Sequence, residues 1–198
     1  MESTTEVNDD SPGTIWTLAV ARLHETHDLK REITDVFASA AAICMERHHR
    51  SPTMWSVRLD DDATSEYEVS WSTPTAVDRR SFANHEEATE LGACGVALAA
   101  VEAHLGLVTF ARAEPRTGID FYLVAPHEDV PDAISYDIDD PRLIGLEVSG
   151  INRDTDATMR SRLRAKVAQI RRGRSPHHAI AGVAGFLRAR MESRTAKP

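Results

Sequence analysis

The stretch RLIGLEVSGI, residues 142–151, decides how the chain is read. Its apolar run has the length and composition of a buried β-strand, yet Glu147 stands in the middle of it. An ionised carboxylate is costly to bury without a partner, a proton or a metal. The surrounding sequence has to say which of these Glu147 has.

On the C-terminal side, DTDATMRSRLRAKVAQIRRG (154–173) spaces Met159, Leu163, Val167 and Ile170 as one face of an amphipathic helix that ends at Gly173. HHAIAGVAGFLRAR (177–190) alternates as a doubly covered strand does, and its glycines would each cost a helix about 1 kcal/mol relative to Ala. On the N-terminal side, LVTFARA (107–113) and IDFYLVA (119–125) read as two strands around the turn EPRTG. PHEDVPDAISYDIDDP (126–141) reads as an acidic loop. NHEEATELGACGVALAAVEAHLG (84–106) reads as a helix, with Asn84 as cap, acidic residues in its first turn and Gly106 as its stop. Its small residues Ala88, Gly92, Gly95 and Ala99 predict close packing on a sheet. From residue 84 onward the order is helix, strand, strand, strand, helix, strand.

Before residue 84 the pattern is plainer. Residues 1–12 read as a disordered tail. Ile33, Val36, Phe37, Ala40, Ala41 and Cys44 form a helical stripe within one long or broken helix over about 14–49, with Asp28 as cap of a second segment. TMWSVRLDDDATSEYEVSWS (53–72) reads as a hairpin, and 73–83 as loop or short strand. The chain therefore divides into a tail (1–12), a helix-plus-hairpin extension (13–83) that extends the sheet or docks a protein partner or second copy, an α/β core (84–190) and a flexible end (191–198). Trp16, Trp55 and Trp71 of the extension suit core packing or a partner interface.

The 198 residues, 41% hydrophobic and 27% charged, have the make-up of a soluble globular protein large enough to bury a core. The polar, acidic start lacks a secretory signal, and no apolar run approaches the roughly 18 residues of a membrane span, which predicts a cytoplasmic protein without membrane contact. Cys44 and Cys94 read as buried thiols in a reducing compartment. The net charge of −8 is uneven: residues 151–198 carry +9 and the rest −17. A basic end on an acidic body suits an acidic partner, nucleic acid or the chain's own surface.

Asp120 opens one strand and Glu147 lies inside another. If the strands are neighbours, the two acids converge, and oxygen ligands of this kind suit Mg²⁺ or Mn²⁺. Glu90, with Glu86 or Glu87 a turn earlier, offers a further carboxylate. This α-β-β-β-α-β order, with GID (118–120) and EVS (147–149), resembles the PD-(D/E)XK nuclease superfamily of restriction endonucleases and Holliday-junction resolvases. The resemblance implies a restriction-endonuclease-like core with a mixed central sheet and metal-dependent phosphodiester hydrolysis. It makes Asp120 and Glu147 metal ligands and Glu90 the first-helix glutamate. Ser149 stands where the family has lysine; it brings no positive charge, and Lys166 or an arginine of the second helix is the candidate substitute.

Two other readings of Glu147 stand beside this one. It is the relic of a catalytically inactive relative that binds nucleic acid or protein, for instance in a bacterial defence system, or it is an edge-strand acid paired with Arg142. The basic helix 158–172 offers Arg160, Arg164 and Arg171 on one face, with Arg162 and Lys166 in a second row, for phosphates or for water alone. No spacing supports zinc, a Gly-x-Ser-x-Gly elbow or a phosphate-binding glycine loop.

Overall fold

The structure, a computed structural model, describes residues 16–126 and 140–197. The tail 1–12 and most of the acidic loop 126–141 lie outside the described residues. An eight-stranded mixed sheet runs through the chain in the order β1-β3-β2-β8-β7-β6-β5-β4. Its strands are β1 (Trp16–Thr17), β2 (Thr53–Leu59), β3 (Ser65–Val69), β4 (Val108–Arg112), β5 (Phe121–Val124), β6 (Ile144–Ile151), β7 (Ala179–Gly185) and β8 (Arg190–Ala196). A 3-10 helix (Val20–Glu25) and four α-helices, α1 (Arg31–Glu46), α2 (Ala76–Ser81), α3 (His85–Leu105) and α4 (Asp156–Arg172), complete it. No helix of the described residues is long and apolar enough to cross a membrane.

Alternation along the strands splits the core in two. Leu146, Val148, Ile180 and Ala184 face α1 and α3, together with Trp55, Val57 and Phe121. Ala179, Ala181 and Val183 face the other way and are covered by Met159, Leu163 and Ile170 of α4. The element order expected from residue 84 is the one observed, and β7 is a strand. β6 pairs β5 antiparallel and β7 parallel, so Glu147 lies inside the sheet.

Several expectations change. The region 14–49 opens with a strand and a 3-10 helix, and α1 begins only at Arg31; Asp28 caps nothing, its N–H bonding Thr109 O instead. The stretch 73–83 contains α2, held by a Thr75–Asp78 capping box. The small stripe of α3 meets a helix: Gly92 and Gly95 lie against the Phe37–Ala41 backbone of α1. Residues 191–196, expected within a flexible end, form β8, which sits between β7 and β2. Its charged residues Arg190, Glu192 and Arg194 alternate with Met191 and Ser193, which are buried, and the charges find partners along the sheet. Through β8 the extension and the core share one sheet. Trp55 is buried in it, while Trp16 is 63% exposed.

Candidate active site

β5 is short. Its pairing with β6 reaches Phe121 opposite Leu146, and beyond that point β6 has no strand on its β5 side among the described residues. Carboxylates take over the ladder there. Val148 N–H donates to Asp120 Oδ2 at 2.8 Å, and Gly150 N–H donates to Glu90 Oε2 at 3.0 Å. Peptide groups that would otherwise be orphaned thus hold two of the expected site acids at the strand edge.

Asp120 is also fixed from behind. Gly118 has φ +85, a conformation that L side chains rarely adopt, and a Cβ there would press on Gln169 O and Gly173 Cα at 2.9 Å. The bare turn packs against the end of α4 and sets Asp120 beside that helix.

Glu147 is 1% exposed. Lys166 Nζ donates to its Oε1 at 2.5 Å and Gln169 Nε2 donates to the same oxygen at 2.7 Å. The other oxygen, Oε2, is buried and finds no hydrogen-bond donor among the described residues. Asp120 stands close enough to share a proton with Glu147. Burial, followed by the charge of Asp120, pushes the Glu147 carboxyl up to about 7, with Lys166 pulling the other way. Two acceptors side by side need a proton, a water or a cation between them. Arg142, the alternative partner, pairs with Asp140 at 2.6 Å, so the pairing of Glu147 with Arg142 does not occur.

Ser149, at the motif lysine's place, belongs to a separate cluster. Arg162 Nη1 donates to its Oγ at 2.7 Å, and Ser149 donates to Glu90 Oε1 at 3.2 Å. Glu90 therefore serves Ser149, Gly150 and Arg162. No group of three or more His, Cys, Asp or Glu able to hold a metal occurs among the described residues. Cys94, one turn after Glu90, feels the charges of Asp120, Glu90 and Glu147; burial and these charges push its thiol far up, which keeps it protonated.

Asp120 and Glu147 open into a cleft of about 520 Å³ whose rim carries Arg112, Arg116 and Arg172. The two donor oxygens fit Mg²⁺ or Mn²⁺, which keep most of their water and take one or two carboxylates plus substrate oxygens. The unpartnered Glu147 Oε2 is the observation behind that fit.

The helix residues divide by flank. Lys166 and Arg162 point to the acids, whereas Arg160, Arg164 and Arg171 line a different cavity between α4 and β8. Sequence reasoning missed Gln169, three residues after Lys166 on the same face; that spacing was the available signal. It also missed Arg112, Arg116 and Arg172, which nothing in their local sequence distinguishes from other surface arginines. His48 and His49 tie the end of α1 to Asn152 and to Phe186 O.

No protein-family model matches the chain, and no curated protein or solved structure is significantly similar to it.

Proposed function

We propose that the chain hydrolyses phosphodiester bonds of nucleic acid through a divalent-metal site of the PD-(D/E)XK kind on a restriction-endonuclease-like core. The observation that carries the reading is the meeting of Lys166 with Glu147 beside Asp120. Two acids and a lysine of the kind the motif uses lie together, and in this reading Lys166 of α4 takes the part that Ser149 cannot. The run α3-β4-β5-β6-α4-β7 supports the same reading.

Asp120 and Glu147 would hold Mg²⁺ or Mn²⁺, which when bound lowers the pKa of a water and offsets charge on the phosphate. The chain's own residues do the rest. Val148 N–H and the Gly118 turn fix Asp120. Gln169 and Lys166 fix Glu147, and Lys166 brings a positive charge to the edge of the cleft. Arg112, Arg116 and Arg172 stand where phosphates flanking the scissile one would lie. Ser149, bonded to Arg162 and Glu90, positions that network and leaves water activation to the other groups.

Thermal melting with and without Mn²⁺ tests the reading, because a ligand that binds only the native state raises Tm. Wild type should be stabilised and Asp120→Asn, which keeps an acceptor for Val148 N–H, should not. Equal responses in both would count against it.

A second reading, a non-catalytic module that binds protein or nucleic acid, is favoured by one observation. Asp120 and Glu90 bond backbone N–H groups of β6, a structural task that outlasts any loss of chemistry. Partner binding unchanged in an Asp120→Ala, Glu147→Ala double variant would support it.

A further inference from the structure

Along the other flank of α4, between that helix and strands β8 and β2, lies a larger cavity of about 780 Å³. Arg58, Arg160, Arg164, Arg171, Arg172 and Arg194 line it, against the carboxylates of Asp60 and Glu192. Arg58 is paired with Glu192 at 3.1 Å and Arg194 with Asp61 at 2.9 Å. Arg160, Arg164, Arg171 and Arg172 form no salt bridge among the described residues, although Arg160 lies within the field of Asp156. A protein of net charge −8 thus gathers six guanidinium groups around one cavity and leaves four of them without a salt bridge among the described residues. Such an arrangement is self-repelling until an anion enters.

The cavity is part of a furrow. A neighbouring hollow of about 330 Å³ shares Arg58, Arg160 and Glu192 with it, and the Asp120–Glu147 cleft shares Arg172. The three run along α4, whose 17 residues span about 25 Å. That length suits a chain better than a compact small molecule. Leu163, Val167 and Ala168 supply an apolar floor, and no aromatic side chain lines the cavity among the described residues.

We propose that this furrow binds a single strand of nucleic acid by its phosphates and leads it along α4 to the Asp120–Glu147 cleft. The direction of the strand rests on the phosphodiesterase reading; the binding itself does not. One phosphate backbone is enough to follow the single line of hollows along α4, which makes a lone strand the occupant. The continuity through Arg172 favours nucleic acid over an acidic peptide, since carboxylates have no chemistry waiting at the acidic end. Without aromatic stacking platforms the site reads phosphate and is nearly indifferent to base. Its affinity falls steeply with salt, by about 0.7 in the log–log slope for each phosphate contact.

Fluorescence anisotropy of a short labelled oligothymidylate, titrated with the full chain in EDTA at several salt concentrations, tests the proposal. Wild type should bind with a strong salt dependence. Arg164→Glu, Arg171→Glu should weaken binding at least tenfold and flatten the slope, while the corresponding double lysine variant retains most of the affinity. Both arginines are exposed, and circular dichroism serves as the check that the variants fold. Failure of wild type to bind, equal binding by the double glutamate variant, or preference for a blunt duplex that survives that variant would overturn the proposal. Tighter binding of an oligoglutamate peptide, lost in the same variant, would also overturn it and make the groove a protein-docking site. Lost oligonucleotide binding with an intact Mn²⁺ melting response would retire the furrow alone. Intact oligonucleotide binding without that response would support the furrow and retire the phosphodiesterase reading.

Discussion

Lys166 Nζ lies 2.5 Å from Glu147 Oε1, although the two residues are 19 apart and sit on different elements, α4 and β6. The side chain of Lys166 is 19% exposed and that of Glu147 1%, and Glu147 lines the cleft together with Gln169. This contact gives the glutamate in the middle of a buried strand its partner, and in the phosphodiesterase reading it supplies the positive charge that Ser149 cannot.

Replacing Lys166 with methionine keeps the bulk and removes the cation. Glu147 is then buried beside Asp120 with only the Gln169 amide left to offset its charge, and the loss should cost about 1–3 kcal/mol at pH 8. At pH 5.5, where Glu147 is protonated, the cost should be smaller. Urea denaturation at the two pH values reads the difference. Hydrolysis by the same variant should fall at least ~100-fold.

Glu147 sets a pH dependence of definite sign. Its carboxyl titrates near 7 in the folded chain, against an ordinary value of 4.5. Between those values the native state binds more protons than the unfolded state, so the group's contribution to stability declines as pH rises through that window and levels above it. The full decline is at most about 3 kcal/mol. Glu147→Gln should lack it, so urea midpoints of wild type and variant should diverge between pH 4.5 and 7 and run parallel above. Metal binding needs the carboxylate, so hydrolysis by wild type should rise with pH across the same region.

Much of this arrangement is legible in the sequence. The six elements from residue 84 to β7 follow from periodicity, caps and glycine stops, because each of those helices and strands carries its own pattern. The row Arg162–Lys166 is visible too, but its direction is fixed only when Met159, Leu163 and Ile170 dock on β7 and turn one flank of α4 toward β6. β8 is hard to see because its charged residues are paid for by partners distant in sequence, such as Asp61 for Arg194. The packing of Gly92 and Gly95 on α1 is equally illegible: a small stripe invites close approach without naming the neighbour.

Two glycines with positive φ should respond differently to alanine. Gly106 (φ +65) ends α3 with open space around it, so Gly106→Ala should cost only the left-handed backbone penalty, about 1 kcal/mol. Gly118 (φ +85) is pressed on the end of α4. Gly118→Ala should cost roughly 2–3 kcal/mol and also weaken Mn²⁺ stabilisation, because Asp120 moves with the turn. Melting curves with and without Mn²⁺ separate the two variants.

Asp154 is fully buried and accepts from Arg188 N–H at 3.1 Å and from Arg190 Nε at 2.8 Å, pinning the turn between β7 and β8. Asp154→Ala removes the buried one of three carboxylates around the Arg190 guanidinium, leaving Asp156 and Glu192, and unpairs Arg188 N–H, so it should cost about 1–3 kcal/mol by chemical denaturation. Glu86→Ala, at an exposed helix start, should stay within about 1 kcal/mol.

The central claim is that Asp120, Glu147 and Lys166 act together on phosphodiester bonds. Its most direct test is cleavage of single-stranded and duplex nucleic acid in Mn²⁺ by purified wild type, Asp120→Asn and Lys166→Met, with EDTA as control. The account expects cleavage by wild type that EDTA and either substitution abolish. Cleavage that survives both substitutions, or intact substrate with folded, metal-loaded wild type, would contradict it.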